Sequence, residues 1–123
     1  MKASRVLIVD DNAMNVTLAS FVLCADGFEV ESAADAREAV QQISAFRPDL
    51  ILMDIQLPGV DGLDLTRQIK AEPSMQHIVV VAFTAFAMRG DEQKLRAAGC
   101  DGYVSKPIDV NKFAAQIRLM LPP

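Results

Sequence analysis

The sequence has no tryptophan, one tyrosine, one histidine and two cysteines among its 123 residues, and no dense run of lysine or arginine. Each scarcity removes a class of function. A single histidine, His77, excludes a metal cluster built from several histidines. Its place ahead of an apolar strand, away from the acidic residues described below, reads as an exposed loop position. Cys24 and Cys100 are far apart and lack metal-ligand spacing, so they read as reduced thiols rather than a disulfide. With a net charge of −4 and no clustered cations, direct nucleic-acid binding is excluded as the expectation, because neutralising phosphates needs such clusters. The apolar stretch Val6–Val9 stops at Asp10, too short for a signal peptide or a membrane span. No P-loop and no GxGxxG sequence is present, and Gly59-Val60-Asp61-Gly62 has the wrong spacing for a nucleotide cradle. Low-complexity tracts, Gly/Ser linkers and repeats are also missing. A chain of this length reads as one domain over residues 1–123, with no output domain, and buries roughly two thirds of its unfolded surface.

What is there is an alternation of short apolar runs and longer amphipathic stretches. Arg5–Val9 is an almost unbroken apolar strand of the kind buried on both faces. Asn12 caps a helix whose apolar positions include Val16, Ala19 and Leu23, and Gly27 ends it. A weaker strand, Phe28–Ser32, precedes a capping box at Asp35-Ala36-Arg37-Glu38 and a helix to about Phe46. Pro48 blocks continuation, and Leu50–Met53 is the third strand. Leu57–Gly62 reads as a loop, and Leu63, Leu65 and Ile69 mark a third helix. Ile78–Phe83 is the fourth strand, Arg89–Ala98 a helix closed by Gly99, Tyr103–Ser105 a fifth strand and Asp109–Leu121 the last helix. Five successive βα units predict an α/β fold with a doubly wound parallel sheet, helices on both faces and a site at the carboxyl ends of the strands.

The chemistry collects at those ends. The first strand runs into Asp10-Asp11, the third into Asp54, the fourth into Thr84 and the fifth into Lys106. Singly, each has an ordinary explanation as a helix lead-in, a turn residue, a strand-end hydroxyl or a surface cation. Their joint arrival at one edge does not, since lone carboxylates seldom follow such buried runs. Three clustered carboxylates need a cation, and oxygen ligands in an open site suit Mg²⁺. A carboxylate nucleophile, a metal, a hydroxyl donor and an ammonium donor together suit phosphoryl transfer.

In order along the chain, Val9-Asp10-Asp11-Asn12, Leu52-Met53-Asp54 through Leu57-Pro58-Gly59-Val60-Asp61-Gly62, Phe83-Thr84-Ala85 and Tyr103-Val104-Ser105-Lys106-Pro107 resemble the signature segments of response-regulator receiver domains. The resemblance covers essentially the whole chain. It implies a flavodoxin-like (βα)5 three-layer sandwich with strand order 2-1-3-4-5. It also implies Asp54 as the phosphoacceptor, with Mg²⁺ held by Asp11, by Asp54, by the main-chain carbonyl of Gln56 and, through water, by Asp10. Lys106 and Thr84 contact the phosphoryl oxygens, and Lys106-Pro107 is expected to be cis. Tyr103 matches the switch aromatic, or is simply a half-buried strand residue. Gln56 and Phe86 occupy positions that tune phosphate lifetime, although Phe86 serves equally well as packing against the fourth helix.

The implied protein is a cytoplasmic signalling switch, not an enzyme acting on a separate substrate. It accepts a phosphoryl group from a histidine kinase or a histidine phosphotransfer protein. A downstream protein reads it on the face formed by the fourth helix, fifth strand and fifth helix. Neither membrane nor nucleic acid is involved, and the protein is a monomer or a weak phosphorylation-dependent dimer. Asp11-Asn12-Ala13-Met14-Asn15 and Thr84 through Asp91 are similar to receivers of single-domain cell-cycle and phosphorelay regulators and of hybrid kinases. A stand-alone regulator is therefore expected, with an excised hybrid-kinase receiver as the alternative. An aspartate-nucleophile phosphatase fits less well, because Gln56 stands where its second acid belongs. A flavin binder would need a Ser/Thr/Gly-rich loop in place of Asp10-Asp11.

Overall fold

The structure is a computed structural model that describes residues 3–57, 60–85 and 91–121. Strand β1 is Arg5–Val9, and Val6 through Val9 are wholly buried, as a strand covered on both faces must be. Helix α1, Ala13–Ala25, begins where the Asn12 side chain accepts hydrogen bonds from the Met14 and Asn15 amides at 3.0 and 3.1 Å. It ends at Gly27, whose φ of 92° lets its amide turn back to the Cys24 carbonyl. Strand β2 is Glu29–Ala33 and helix α2 is Ala36–Phe46. Asp35 caps α2 by accepting from the Glu38 amide at 2.8 Å, and the Glu38 carboxylate accepts in return from Ala34 at 3.1 Å.

Strand β3 is Leu50–Asp54 and helix α3 is Gly62–Ala71. Strand β4 (Val79–Thr84), helix α4 (Asp91–Ala98), strand β5 (Gly102–Ser105) and helix α5 (Phe113–Met120) complete the chain. All five strands are parallel, in the order β2-β1-β3-β4-β5. Alternate strand residues face opposite sides, and each side has its own core. Leu7, Val9, Ile51, Met53, Val80 and Ala82 pack against α2, α3 and α4 through Ile43, Leu65, Ile69 and Leu95. Val6, Ile8, Leu50, Leu52, Val81 and Phe83 pack against α1 and α5 through Ala19, Leu23, Phe113 and Ile117.

Several boundaries move from the sequence expectation. Strands β2 and β4 begin and end one residue later, β3 takes in Asp54 and β5 begins at Gly102. The expected loop at Leu57–Gly62 is more ordered: Gln56–Leu57 pairs antiparallel with Val60–Asp61, and Gly62 already belongs to α3. Helix α5 starts four residues after the expected Asp109. The Asp109 carboxylate accepts from the Asn111 amide at 3.0 Å, which holds a turn in place of a helical start. The expected start of the fourth helix at Arg89 lies outside the described residues. Cys24 is exposed, Cys100 is buried, and neither forms a disulfide.

Candidate functional site

Asp10 follows β1 and extends its pairing, donating its amide to the Ala33 carbonyl at 3.0 Å. Its side chain is buried and turned over the start of α1. One carboxylate oxygen accepts from the Asn12 amide at 2.8 Å and the other from the Asn15 side-chain amide at 3.3 Å. Asp11, next in the chain, is exposed. Asp54 closes β3, is 4% exposed, and accepts a hydrogen bond from the Gln56 amide at 3.0 Å. Lys106 arrives from the far side. Its backbone amide donates to the Thr84 carbonyl at 2.9 Å, so the end of β4 anchors it. Its ammonium lies 3.2 Å from an Asp10 oxygen and 3.3 Å from an Asp54 oxygen, and 4.9 Å from the centre of the Phe83 ring.

Three carboxylates and one ammonium thus share one pocket. Burial pushes the Asp54 carboxyl above its ordinary range, and the Asp10 charge pushes the same way. The Gln56 amide and the Lys106 ammonium pull it down without cancelling the burial. Among the described residues, no buried side-chain nitrogen or oxygen lacks a partner.

Asp10, Asp11 and Asp54 each offer one oxygen, and these oxygens lie within 4.8 Å of one another. Opposite ligands of an octahedral Mg²⁺ stand about 4.2 Å apart, from Mg–O distances of about 2.1 Å. The cluster is therefore the right size and chemistry for a small divalent cation, with one carboxylate ligating through water.

The remaining expected residues fall around this pocket. Thr84 is buried at the end of β4, in register with Ser105 of β5. Gln56 is exposed beside Asp54, and Pro107 follows Lys106 through a cis peptide bond. Tyr103 is 39% exposed on β5, compatible with either role named for it. Phe86 lies outside the described residues. His77 is exposed, lining a groove of about 670 Å³ with Ile43, Pro48 and Ile78.

Two contributors escaped the sequence reading. Asn15 holds Asp10, and the Asp-to-Asn spacing of five residues through a helix cap was the available signal. Gly62 lies so close to Asp54 that an added Cβ would stand 2.3 Å from the Asp54 carbonyl oxygen. Nothing local in the sequence announces that approach.

Comparisons with known proteins bear on the family and the fold. Residues 6–118 match the family described as the response regulator receiver domain. The chain is similar to the polar-differentiation response regulator DivK of Brucella anthropi, 46% identical over 116 residues that cover 94% of each protein. Its fold is similar to the chemotaxis response regulator CheY4 of Vibrio cholerae, with a TM-score of 0.91, 26% identity, and coverage of 98% and 100% of the two chains. It is also similar to the signal receiver domain of a signal transduction histidine kinase from Syntrophus aciditrophicus. There the TM-score is 0.85 at 30% identity, over 97% of this chain and 90% of that one.

Proposed function

Given that the chain belongs to the response regulator receiver domain family of two-component signalling, we propose that Asp54 is its phosphoacceptor and that a phosphohistidine protein is the donor. The observation that carries this is the Lys106 ammonium 3.3 Å from a buried Asp54 oxygen, in a pocket shared with Asp10 and Asp11. In the transfer, a carboxylate oxygen of Asp54 forms a bond to phosphorus while the N–P bond to the donor imidazole breaks and the ring nitrogen keeps the electron pair. Lys106, already leaning on Asp54, follows the charge onto the phosphoryl oxygens, and the Thr84 hydroxyl donates to another of them. Asp11, Asp54 and the Gln56 carbonyl would hold Mg²⁺ directly and Asp10 through water. The ion, when bound, supplies neutralising charge at the phosphoryl group.

The new bonds also provide a switch. A nearly complete change of population needs roughly 5.5 kcal/mol of differential interaction. Charge-assisted bonds to Thr84 and Lys106, at about 1.5–3 kcal/mol each, supply most of it. Because Lys106 is bonded to the Thr84 carbonyl, movement at either reaches α4, β5 and α5, the face proposed to meet a downstream protein. A macromolecular donor is supported by α1, which has no charged residue and exposes Met14, Leu18 and Phe21 along the side that begins at Asn12. Action in the cytoplasm is part of this reading; among the described residues, no helix is long and apolar enough to cross a membrane. A phosphatase that turns over external substrate is disfavoured by Gln56, which cannot serve as the second acid.

Intact-mass analysis after incubation with acetyl phosphate and Mg²⁺ tests the reading. One base-labile phosphoryl group is expected on the wild type and none on Asp54→Asn. The same time course on Phe86→Ala should show faster loss, as expected of a lifetime-setting position. A phosphoryl group that persists in Asp54→Asn would overturn the assignment.

A further inference from the structure

Between Asp54 and α3, Gln56–Leu57 and Val60–Asp61 form a short antiparallel pair. Gln56 pairs with Asp61 and Leu57 with Val60, and the neck is shut where the Gly62 amide donates to the Ile55 carbonyl at 3.0 Å. At that neck no side chain fits. A Cβ on Gly62 would lie 2.3 Å from the Asp54 carbonyl oxygen and 2.8 Å from the Ile55 Cα, and both are backbone atoms that cannot swing aside. The first turn of α3 therefore lies directly against the peptide that carries the Asp54 carboxylate. Two residues beyond Asp54 sits Gln56, whose amide bonds that carboxylate and whose carbonyl belongs to the ligand set proposed for the ion.

The turn is itself bolted down from within α3. Thr66 is wholly buried, and its hydroxyl donates to the Gly62 carbonyl at 2.8 Å. Its other neighbour is the buried thiol of Cys100, the residue after the Gly99 that ends α4. Valine has nearly the same shape but lacks the hydroxyl, so it would remove both the bond to the Gly62 carbonyl and the hydrogen bond to the buried Cys100 thiol. A hydroxyl bonding back to the carbonyl four residues earlier bends the helix at that point. Here the carbonyl belongs to the neck residue, which lies against the Asp54 peptide.

We propose that Thr66 is a positioning residue for phosphoryl transfer, acting through Gly62 to fix the Asp54 carboxylate and the Gln56 carbonyl relative to each other. The proposal rests on the reading of Asp54 as phosphoacceptor. It assigns to α3 a part in the reaction separate from its packing, since the side chain that does the work never reaches the pocket.

The test measures initial rates of phosphorylation by acetyl phosphate over a Mg²⁺ titration, together with melting temperature, for the wild type, Thr66→Val, Thr66→Ser and Cys100→Ala. Thr66→Val is expected to slow transfer at saturating Mg²⁺ by about tenfold, in line with the sensitivity of near-attack geometry to small displacements, and to raise the Mg²⁺ needed for half-saturation. Thr66→Ser, which keeps the hydroxyl, should restore both to within about twofold, the factor expected when the geometry is kept. Cys100→Ala removes the thiol that hydrogen-bonds the Thr66 hydroxyl but leaves the Thr66 bond to Gly62, so it should lower the melting temperature with rate and Mg²⁺ dependence intact. Thr66→Val that matches the wild type in rate and Mg²⁺ dependence would overturn the proposal, whatever its stability. So would Cys100→Ala that slows transfer as much as Thr66→Val, since packing alone would then account for the effect. Should Thr66→Val not fold, Thr66→Ala carries the same comparison. A wild type that takes up no phosphoryl group would instead overturn the reading of Asp54, and this inference with it.

Discussion

Asp54 is held in an arrangement that works against its own ionisation. Burial and the neighbouring Asp10 both favour the protonated form, so its carboxyl titrates above the ordinary carboxylate value in the folded protein. The folded state therefore binds the proton more tightly than the unfolded chain. The ionised carboxylate lowers stability, with an effect that grows as pH rises from the ordinary value through the raised one and is complete above it. Asp54→Asn removes that cost while Lys106 keeps its partner Asp10 at 3.2 Å. The variant is expected to be more stable than the wild type at pH 7, by on the order of 1 kcal/mol, and to lose that advantage at pH 3. Urea denaturation of both proteins at the two pH values checks this, and an advantage that grew on acidification would contradict it. The identity of Asp54 was legible because a carboxylate directly after four buried apolar residues is conspicuous. The rise in its carboxyl pKa was not, because that depends first on burial by tertiary packing and then on the balance of Gln56, Asp10 and Lys106 around it.

At the scale of elements, the starts of α1 and α2 were legible in their capping residues. Asn12 and Asp35 announced α1 and α2 because a side-chain oxygen at the cap satisfies amides that the helix itself cannot. Asp35→Ala, losing the 2.8 Å bond from the Glu38 amide, is expected to cost about 1 kcal/mol of stability. It should leave the acetyl phosphate reaction unchanged, since α2 starts beside β2, not beside Asp54. Thermal melting and the phosphorylation rate together check both halves. Where the reading slipped, a local competitor prevailed. Asp109 looked like a helix start, yet its carboxylate closes its own turn, and α5 begins at Phe113. The stretch after Asp54 looked like a loop because two-residue strands have too little pattern to be seen, and Gly62 looked like part of that loop rather than the first residue of α3.

At the scale of the whole molecule, three carboxylates meet one ammonium at one end of the sheet, and an Mg²⁺ ion bound at the proposed site is expected to stabilise the fold. An ion that binds only the folded state adds about 2.7 kcal/mol at a hundredfold excess over its Kd, and for a domain of this size that is a rise of roughly 10 °C in Tm. Calorimetry in Mg²⁺ against EDTA should show the rise. Asp11→Asn should remove most of it, because Asp11 is the exposed member of the cluster and loses little else. An unchanged Tm in Mg²⁺ would refute a cation site here. By itself the sequence determined the alternating βα pattern, the doubly wound class and which residues end the strands, since burial on both faces imposes unbroken apolar runs and every run must stop at something. Only the tertiary structure decided what those residues do to one another. Parallel strands stack in the order β2-β1-β3-β4-β5, which brings residues 10, 54 and 106 to one edge. The distances of 3.2 and 3.3 Å from Lys106 to Asp10 and Asp54 follow from that strand order and from the Thr84 carbonyl that anchors Lys106, neither of which any local stretch of sequence encodes.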